Sequence, residues 1–432
     1  MKHLLIALAL ASCGVSPIVA QSVWTYPECV EYARLHNINL QKSRLTEESA
    51  KYDLEEAKAQ WQPTLDFATN QGYSNYPWGE AVKNSYISNY GLNSSWTVWN
   101  GGVRENNIRR QKLQSRINEL NTGDVLRTLE TDLLQVYINI LYAKEAIGIY
   151  KEAARLSMAQ AERARQLMEA GRLSRVDYAQ LKSQYEQDEY AIVNAQGTYD
   201  TRRMELKKLL ELGIDMEISL KDVEWTAEQI LAQLPDMSES YRMAVDTDLR
   251  IRSLELEKEG TDIDIAIAKA GRMPKIALNA SVGTGYGAPG DPFGTALKKG
   301  LNETVGITLS VPIFDNKKTS SAVARSKVQA LNAQLDIEQR YTDIAQTVEN
   351  WYIDTRSAQS RFVAAQQQLS AAELTDELTN EQFKLGLVNT VELMTSHNDL
   401  TQARHVLLQA KYMAMLGQKM IEYYRTATVT LD

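Results

Sequence analysis

The sequence predicts a mainly α-helical chain with a small β part, built by internal duplication. Trp99-Asn100-Gly101-Gly102 lines up with Phe314-Asp315-Asn316-Lys317 at an offset of 215, and Gly171-Arg172-Leu173-Ser174-Arg175-Val176-Asp177 lines up with Gly386-Leu387-Val388-Asn389-Thr390-Val391-Glu392 at the same offset. The landmarks are 72 residues apart in both copies, which marks one supersecondary unit used twice. Residues 78–234 and 313–432 lack proline, so very long helices are permitted there. Four segments of about ten residues alternate with period two instead and read as strands.

The chain opens with Lys2, an apolar run from Leu4 to Ala11, and Ile18-Val19-Ala20 before Gln21. This reads as a secretory leader over 1–20, cleaved after Ala20. Leu10-Ala11-Ser12-Cys13 also fits the box preceding a lipid-modified cysteine, so anchoring at Cys13 stands beside that reading. Cleavage after Ala20 leaves Cys29 as the one thiol, with no intrachain disulfide, and Cys29 reads as a small buried hydrophobe on the first helix. The formal charge is −8, and −9 once Lys2 leaves with the leader, which argues against nucleic acid as a partner. No window after residue 20 approaches the ~18 apolar residues of a spanning helix. If the chain crosses a bilayer, it does so with strands.

The first repeat is expected over 21–210: a helix, two strands and a long helical hairpin. In 89–98, Tyr90, Leu92, Trp96 and Val98 share one face and Asn89, Gly91, Asn93, Ser95 and Thr97 the other; 64–73 shows a weaker version with Leu65, Phe67 and Tyr73. One apolar and one small polar face suit a lipid-facing strand around a wet lumen, and also a soluble sandwich. Tyr73, Tyr76, Trp78, Tyr86, Trp96 and Trp99 crowd the strand ends, as interfacial girdles do and as β-propensity alone also produces. A continuous helix over 103–170 would reach ~100 Å at ~1.5 Å per residue, which suits a spacer.

Residues 211–240, with Gly213, an acidic run and Pro235, read as the inter-repeat linker or equatorial region. The second repeat is expected over 241–424, with strands at 275–286 and 304–313, a Gly- and Pro-rich surface loop from Gly283 to Gly300, and a tail at 425–432. Its helices carry Val328, Leu331 and Leu335, then Tyr341, Ile344, Val348 and Trp351, at three and four spacing amid much Ala and Gln. Such narrow seams suit a tube wall touched on two flanks, or an ordinary antiparallel coiled coil.

Four strands cannot close a barrel, and open edges in lipid cost several kcal/mol per unpaired backbone group. Two copies would give eight strands with a filled interior, whereas three give twelve with a lumen, so a channel calls for a homotrimer. Each hairpin turn pairs a Gly suited to a left-handed helix end with a capping-box spacing, Ser174 with Asp177 and Asn389 with Glu392. Both acids are then explained as caps; alternatively, six such carboxylates around a threefold axis would favour cations.

These residues resemble the TolC-like outer-membrane efflux proteins, the outer membrane factor family. The resemblance runs over nearly all of 22–424: Trp24 to Asn39, Gln62-Pro63 and Met273-Pro274 before the strands, Val98 to Gly102 and Val311 to Asp315 at their exits, and both hairpin turns. It implies a trimer with four strands per protomer in a shared twelve-stranded barrel in outer-membrane lipid, continued by a long helical barrel into the periplasm. It implies passive export with no cofactor, driven by an inner-membrane transporter of RND, ABC or MFS type through a periplasmic adaptor. It also implies adaptor contact at the tips (Gly171, Arg172, Leu173, Ser174; Gly386, Leu387, Val388, Asn389) and an aperture at Asp177, Glu392 and Phe383. Where the family's pattern carries an arginine and a further acid, this chain has Val388 and Thr395, which predicts a weaker acid ring.

An enzyme is disfavoured: His36, His397 and His405 fall in no metal-ligand spacing, and no phosphate-cradling loop or nucleophile turn occurs. The alternative is a periplasmic coiled-coil adaptor or structural protein.

Overall fold

The computed structural model describes residues 23–78, 84–287 and 292–431. The leader over 1–20 and Cys13 lie outside these residues. The order is β1 (Val23–Trp24), α1 (Tyr26–His36), α2 (Ile38–Ala59), β2 (Thr64–Asn75), β3 (Asn84–Trp99), α3 (Val103–Glu169) and α4 (Arg175–Leu209). It continues with β4 (Ser219–Leu220), α5 (Ala227–Ile230), α6 (Met237–Thr247), α7 (Leu249–Ala270), β5 (Lys275–Tyr286), α8 (Phe293–Lys299), β6 (Asn302–Ser310), α9 (Lys318–Leu385) and α10 (Thr390–Thr426).

The duplication is present element by element. Helices α1 and α6 each have 11 residues, α2 and α7 each 22, and α3 and α9 have 67 and 68. At ~1.5 Å per residue the last two span about 100 Å. Each is entered through two consecutive left-handed residues, Gly101 and Gly102 in the first copy, Asn316 and Lys317 in the second. Each folds back as an antiparallel hairpin, α3 on α4 and α9 on α10, with α7 wedged between α3 and α9.

The four longer strands form one antiparallel sheet in the order β2-β3-β5-β6, leaving β2 and β6 as edges. Its register places Leu65, Phe67 and Tyr73 on the same face as Leu92, Trp96, Leu278, Val282, Val305, Ile307 and Leu309. Asn89, Asn93, Asn279 and Ser281 lie on the opposite face, as the alternation predicts. Val98 departs from it: a bulge between Thr97 and Trp99 brings Trp99, not Val98, opposite Ile276. Strand β6 spans 302–310, not 304–313. Its partner β5 begins at Lys275, opposite Ser310, so Val311 and Pro312 have no strand to pair with. The expected loop from Gly283 to Gly300 also carries the end of β5 and all of α8; residues 288–291 lie outside the described set.

The main core sits where the chain halves meet, around Cys29, Leu133, Leu134, Tyr137, Leu206 and Leu210. Residues 211–240 are packed against it. Strand β4 pairs in parallel with β1, Ile218 and Leu220 are buried, and the Ile230 carbonyl accepts from Gln359 and Gln418. The expected linker boundary at 240 cuts through α6. The tail is likewise docked, with Leu431 in the core. Cys29 is fully buried, and burial pushes its thiol up to about 12.

Candidate functional site

Two features define the site: the hairpin tips and the four-stranded sheet. Helix α3 ends at a Gly171 with φ +71°, and both closing bonds of a Schellman turn are made: Gly171 N–H donates to Met168 O (3.0 Å) and Arg172 N–H to Leu167 O (2.8 Å). The second tip repeats this, with Gly386 at φ +74°, its N–H to Phe383 O (3.0 Å) and Leu387 N–H to Gln382 O (2.9 Å). Ser174 then caps α4 by accepting from Asp177 N–H, and Asn389 caps α10 by accepting from Glu392 N–H. The reciprocal limb differs from a capping box. Each carboxylate accepts from the capping side chain, Ser174 Oγ to Asp177 (2.6 Å) and Asn389 Nδ2 to Glu392 (2.9 Å).

The sequence gives Asp177 and Glu392 equivalent places, but their surroundings differ. Thr390 Oγ1 donates to Asp177 Oδ1 at 2.7 Å and so ties the two hairpins together. Hydrogen bonds from the Ser174 and Thr390 side chains hold the Asp177 carboxyl below the usual carboxylate range. Glu392 is exposed, and among the described residues its carboxylate takes its one protein hydrogen bond from Asn389. Phe383, expected at an aperture, is buried with Ala161, Ala164, Leu181 and Leu393, so its ring fills the interior of the tip. Leu173 and Val388 pack against the same cluster. Arg172 and Leu387 point outward, and with Val176, Leu385 and Val391 they give the tips an exposed, largely apolar surface.

Above the tips the hairpins meet through buried polar groups that sequence spacing did not expose. His397, 1% exposed, donates from Nε2 to Asp188 Oδ2 at 3.0 Å; Gln184 bonds Asp188 Oδ1 (3.0 Å) and Asn398 (2.9 Å). Burial pushes the Asp188 carboxyl up, but hydrogen bonds from His397, Ser157 and Gln184 outweigh it and hold the group low. The histidine and its acid are 209 positions apart, a separation only the fold can close. Among the described residues no three His, Cys, Asp or Glu side chains gather as a metal site, and no helix is long and apolar enough to cross a membrane.

The sheet supplies the second feature. On edge strand β6, Val305, Ile307 and Leu309 are 75%, 76% and 63% exposed. Among the described residues, an apolar face and two unpaired edges are left uncovered. Arg104 locks the sheet to α3: it stacks over Trp61 at 3.5 Å and donates to the carbonyls of Gln60, Thr97 and Val98.

A four-stranded sheet with one apolar face, carried on helices about 100 Å long, defines the subunit of an envelope-spanning duct. Comparison with known proteins gives the same class. The outer membrane efflux protein family model matches residues 30–211 and 241–415, one segment per repeat. Escherichia coli outer membrane protein TolC is 21% identical, covering 97% of this chain and 85% of that protein. Outer membrane efflux protein BepC of Brucella suis is 20% identical, over 82% and 75%, and the alkaline protease secretion protein AprF of Pseudomonas aeruginosa 20%, over 84% and 76%. Among solved structures, the outer-membrane channel OprN aligns with a TM-score of 0.75 at 17% identity, covering 93% of this chain and 89% of that one. The outer membrane protein VceC of Vibrio cholerae aligns with 0.75 at 13%, over 94% and 97%. The chain belongs to the outer membrane efflux protein family. It is an outer-membrane exit duct that extends into the periplasm, and the coiled-coil adaptor alternative is set aside.

Proposed function

We propose that three copies of this chain close twelve strands into one barrel and their helical hairpins into one tunnel, forming the passive exit of a tripartite efflux or type I secretion system. The observation that carries this is the open sheet: its two unpaired edges and uncovered apolar face are stable in lipid only when neighbouring copies pair with them. Exported solutes pass along the opposite face, with its Asn89, Asn93, Asn279 and Ser281. The tips form the periplasmic end, where the exposed surface around Arg172 and Leu387 receives the periplasmic adaptor of an RND, ABC or MFS transporter.

At that end Glu392 is the carboxylate free to act on passing ions. Asp177 acts chiefly as a cap and as the Thr390 tie, and Phe383 supports the tip from within. Single-channel recording in planar bilayers tests this assignment. Glu392→Gln is expected to lower cation selectivity with the tip intact, whereas Asp177→Asn raises conductance by loosening the hairpins. Unchanged selectivity in Glu392→Gln would remove the acid ring from the reading, and the absence of any conductance would remove the duct.

A further inference from the structure

The apolar face of the sheet changes character toward the end away from the long helices. Its apolar rows run from Ile276 with Leu309, nearest those helices, to Phe67 with Leu92 and Val282. Beyond come Thr69 with Tyr90 and Thr284, then Gln71 with Ser88 and Tyr286. From Ile276 to Val282 the strand advances ~20 Å at ~3.4 Å per residue, and less in height once it tilts, against the ~25 Å apolar band of an outer-membrane barrel. The polar rows thus fall within the depth that lipid covers.

Helix α8 folds over this corner. Thr284 Oγ1, on the apolar face, donates to the Leu297 carbonyl, and the rings of Tyr286 and Phe293 lie 5.5 Å apart. Gly300 closes the turn against Gly285, where a Cβ would come within 3.0 Å of the carbonyl oxygen. Ser88, opposite Tyr286, is fully buried, and so is Ala296. The other side of α8 stays outward, with Phe293 47% exposed and Lys298 and Lys299 exposed. We propose that α8 is a lipid-binding element on the outside of the barrel, with Phe293 among the acyl chains and Lys298 and Lys299 on the phosphate groups of an outer-leaflet glycolipid. This rests on the lipid-facing sheet proposed above and adds the chemistry of the lipid.

Two observations support that occupant. The outward side of α8 is continuous with the exposed apolar rows below it, so both meet the same medium. The helix also combines an aromatic and an aliphatic face with paired lysines, the make-up of a segment lying in a membrane interface, where lysine stems follow apolar surface and their ammonium groups reach anionic headgroups. The single acid on this face among the described residues, Glu303, is opposite Val282, one row nearer the long helices than Thr284. Lysines in a last helical turn also suit the helix dipole, but that account predicts no preference for a phosphorylated lipid.

The test uses the full chain reconstituted in phosphatidylcholine vesicles with bisphosphorylated lipid A, then extracted in mild detergent. The native chain is expected to retain severalfold more lipid A than Lys298→Gln with Lys299→Gln, while both form the same detergent-stable oligomer. Dephosphorylated lipid A should be retained no better by one than by the other. Equal retention of bisphosphorylated lipid A overturns the site, and displacement by inorganic phosphate alone would make it a phosphate site and overturn the glycolipid. As a second reading, a spin label on Phe293→Cys is expected to be relaxed by dissolved oxygen more than by a water-soluble nickel chelate; the reverse places α8 in water and overturns the proposal. The same label on Ile307→Cys separates the two readings, because a water-exposed Ile307 would overturn the lipid-facing sheet itself.

Discussion

At the residue scale, a helix followed at once by another needs a left-handed residue between them, and at the two tips Gly171 and Gly386, both of positive φ, supply it. Gly386→Ala should cost about 1 kcal/mol through that conformation alone, read as a lowered thermal midpoint of the detergent-solubilised protein. Asp188 and His397 belong to different repeats, and no local pattern joins them. Replacing Asp188 by Ala strands a buried imidazole and should destabilise the tip by about 1–3 kcal/mol, seen as faster proteolysis within α4 and α10. The pH dependence has a definite sign. The folded pKa of Asp188 lies below the unfolded one, so its contribution is complete above about pH 4 and is lost as pH falls through the folded value. Acid should therefore lower the native midpoint more than that of Asp188→Asn; equal falls would show that the pair carries no linkage.

At the element scale, periodicity carried most of the reading. Helices free of proline over more than sixty residues and strands with clean alternation leave few alternatives. The misses have physical causes. Strand β6 stops at Ser310 because its partner stops, a fact of pairing that no single segment contains. The bulge at Val98 shifts one residue out of phase, and alternation read from one strand cannot reveal an extra residue opposed to another strand. Residues 211–240 have linker composition yet dock through backbone carbonyls, which composition does not register. Helix packing brings its own prediction. On α10, a Cβ at Gly417 would lie 2.0 Å from Thr355 Oγ1 of α9, and that hydroxyl is already bonded to the Trp351 carbonyl. Gly417→Ala should prise the hairpin apart at a cost of about 1–3 kcal/mol, and Thr355→Ala in the same chain should recover part of it, as a double-mutant cycle in thermal denaturation would show.

At the scale of the whole molecule, the sheet's outward face sets the medium. A charge at Ile307, near the middle of β6, should cost about 2–4 kcal/mol in the bilayer, so Ile307→Arg is expected to accumulate outside the outer-membrane fraction on density gradients, whereas Thr308→Arg is not excluded from it. The two copies differ most in the strand connections away from the long helices: Asn75 leads to Asn84 in one copy, whereas Tyr286 leads through α8 to Asn302, seven residues further, in the other. In the proposed ring of three chains, the connection that carries α8 then recurs three times around the outward mouth. An antibody or phage fibre landing there would find three equivalent footholds and not six, each crowned by the Phe293–Lys299 turn.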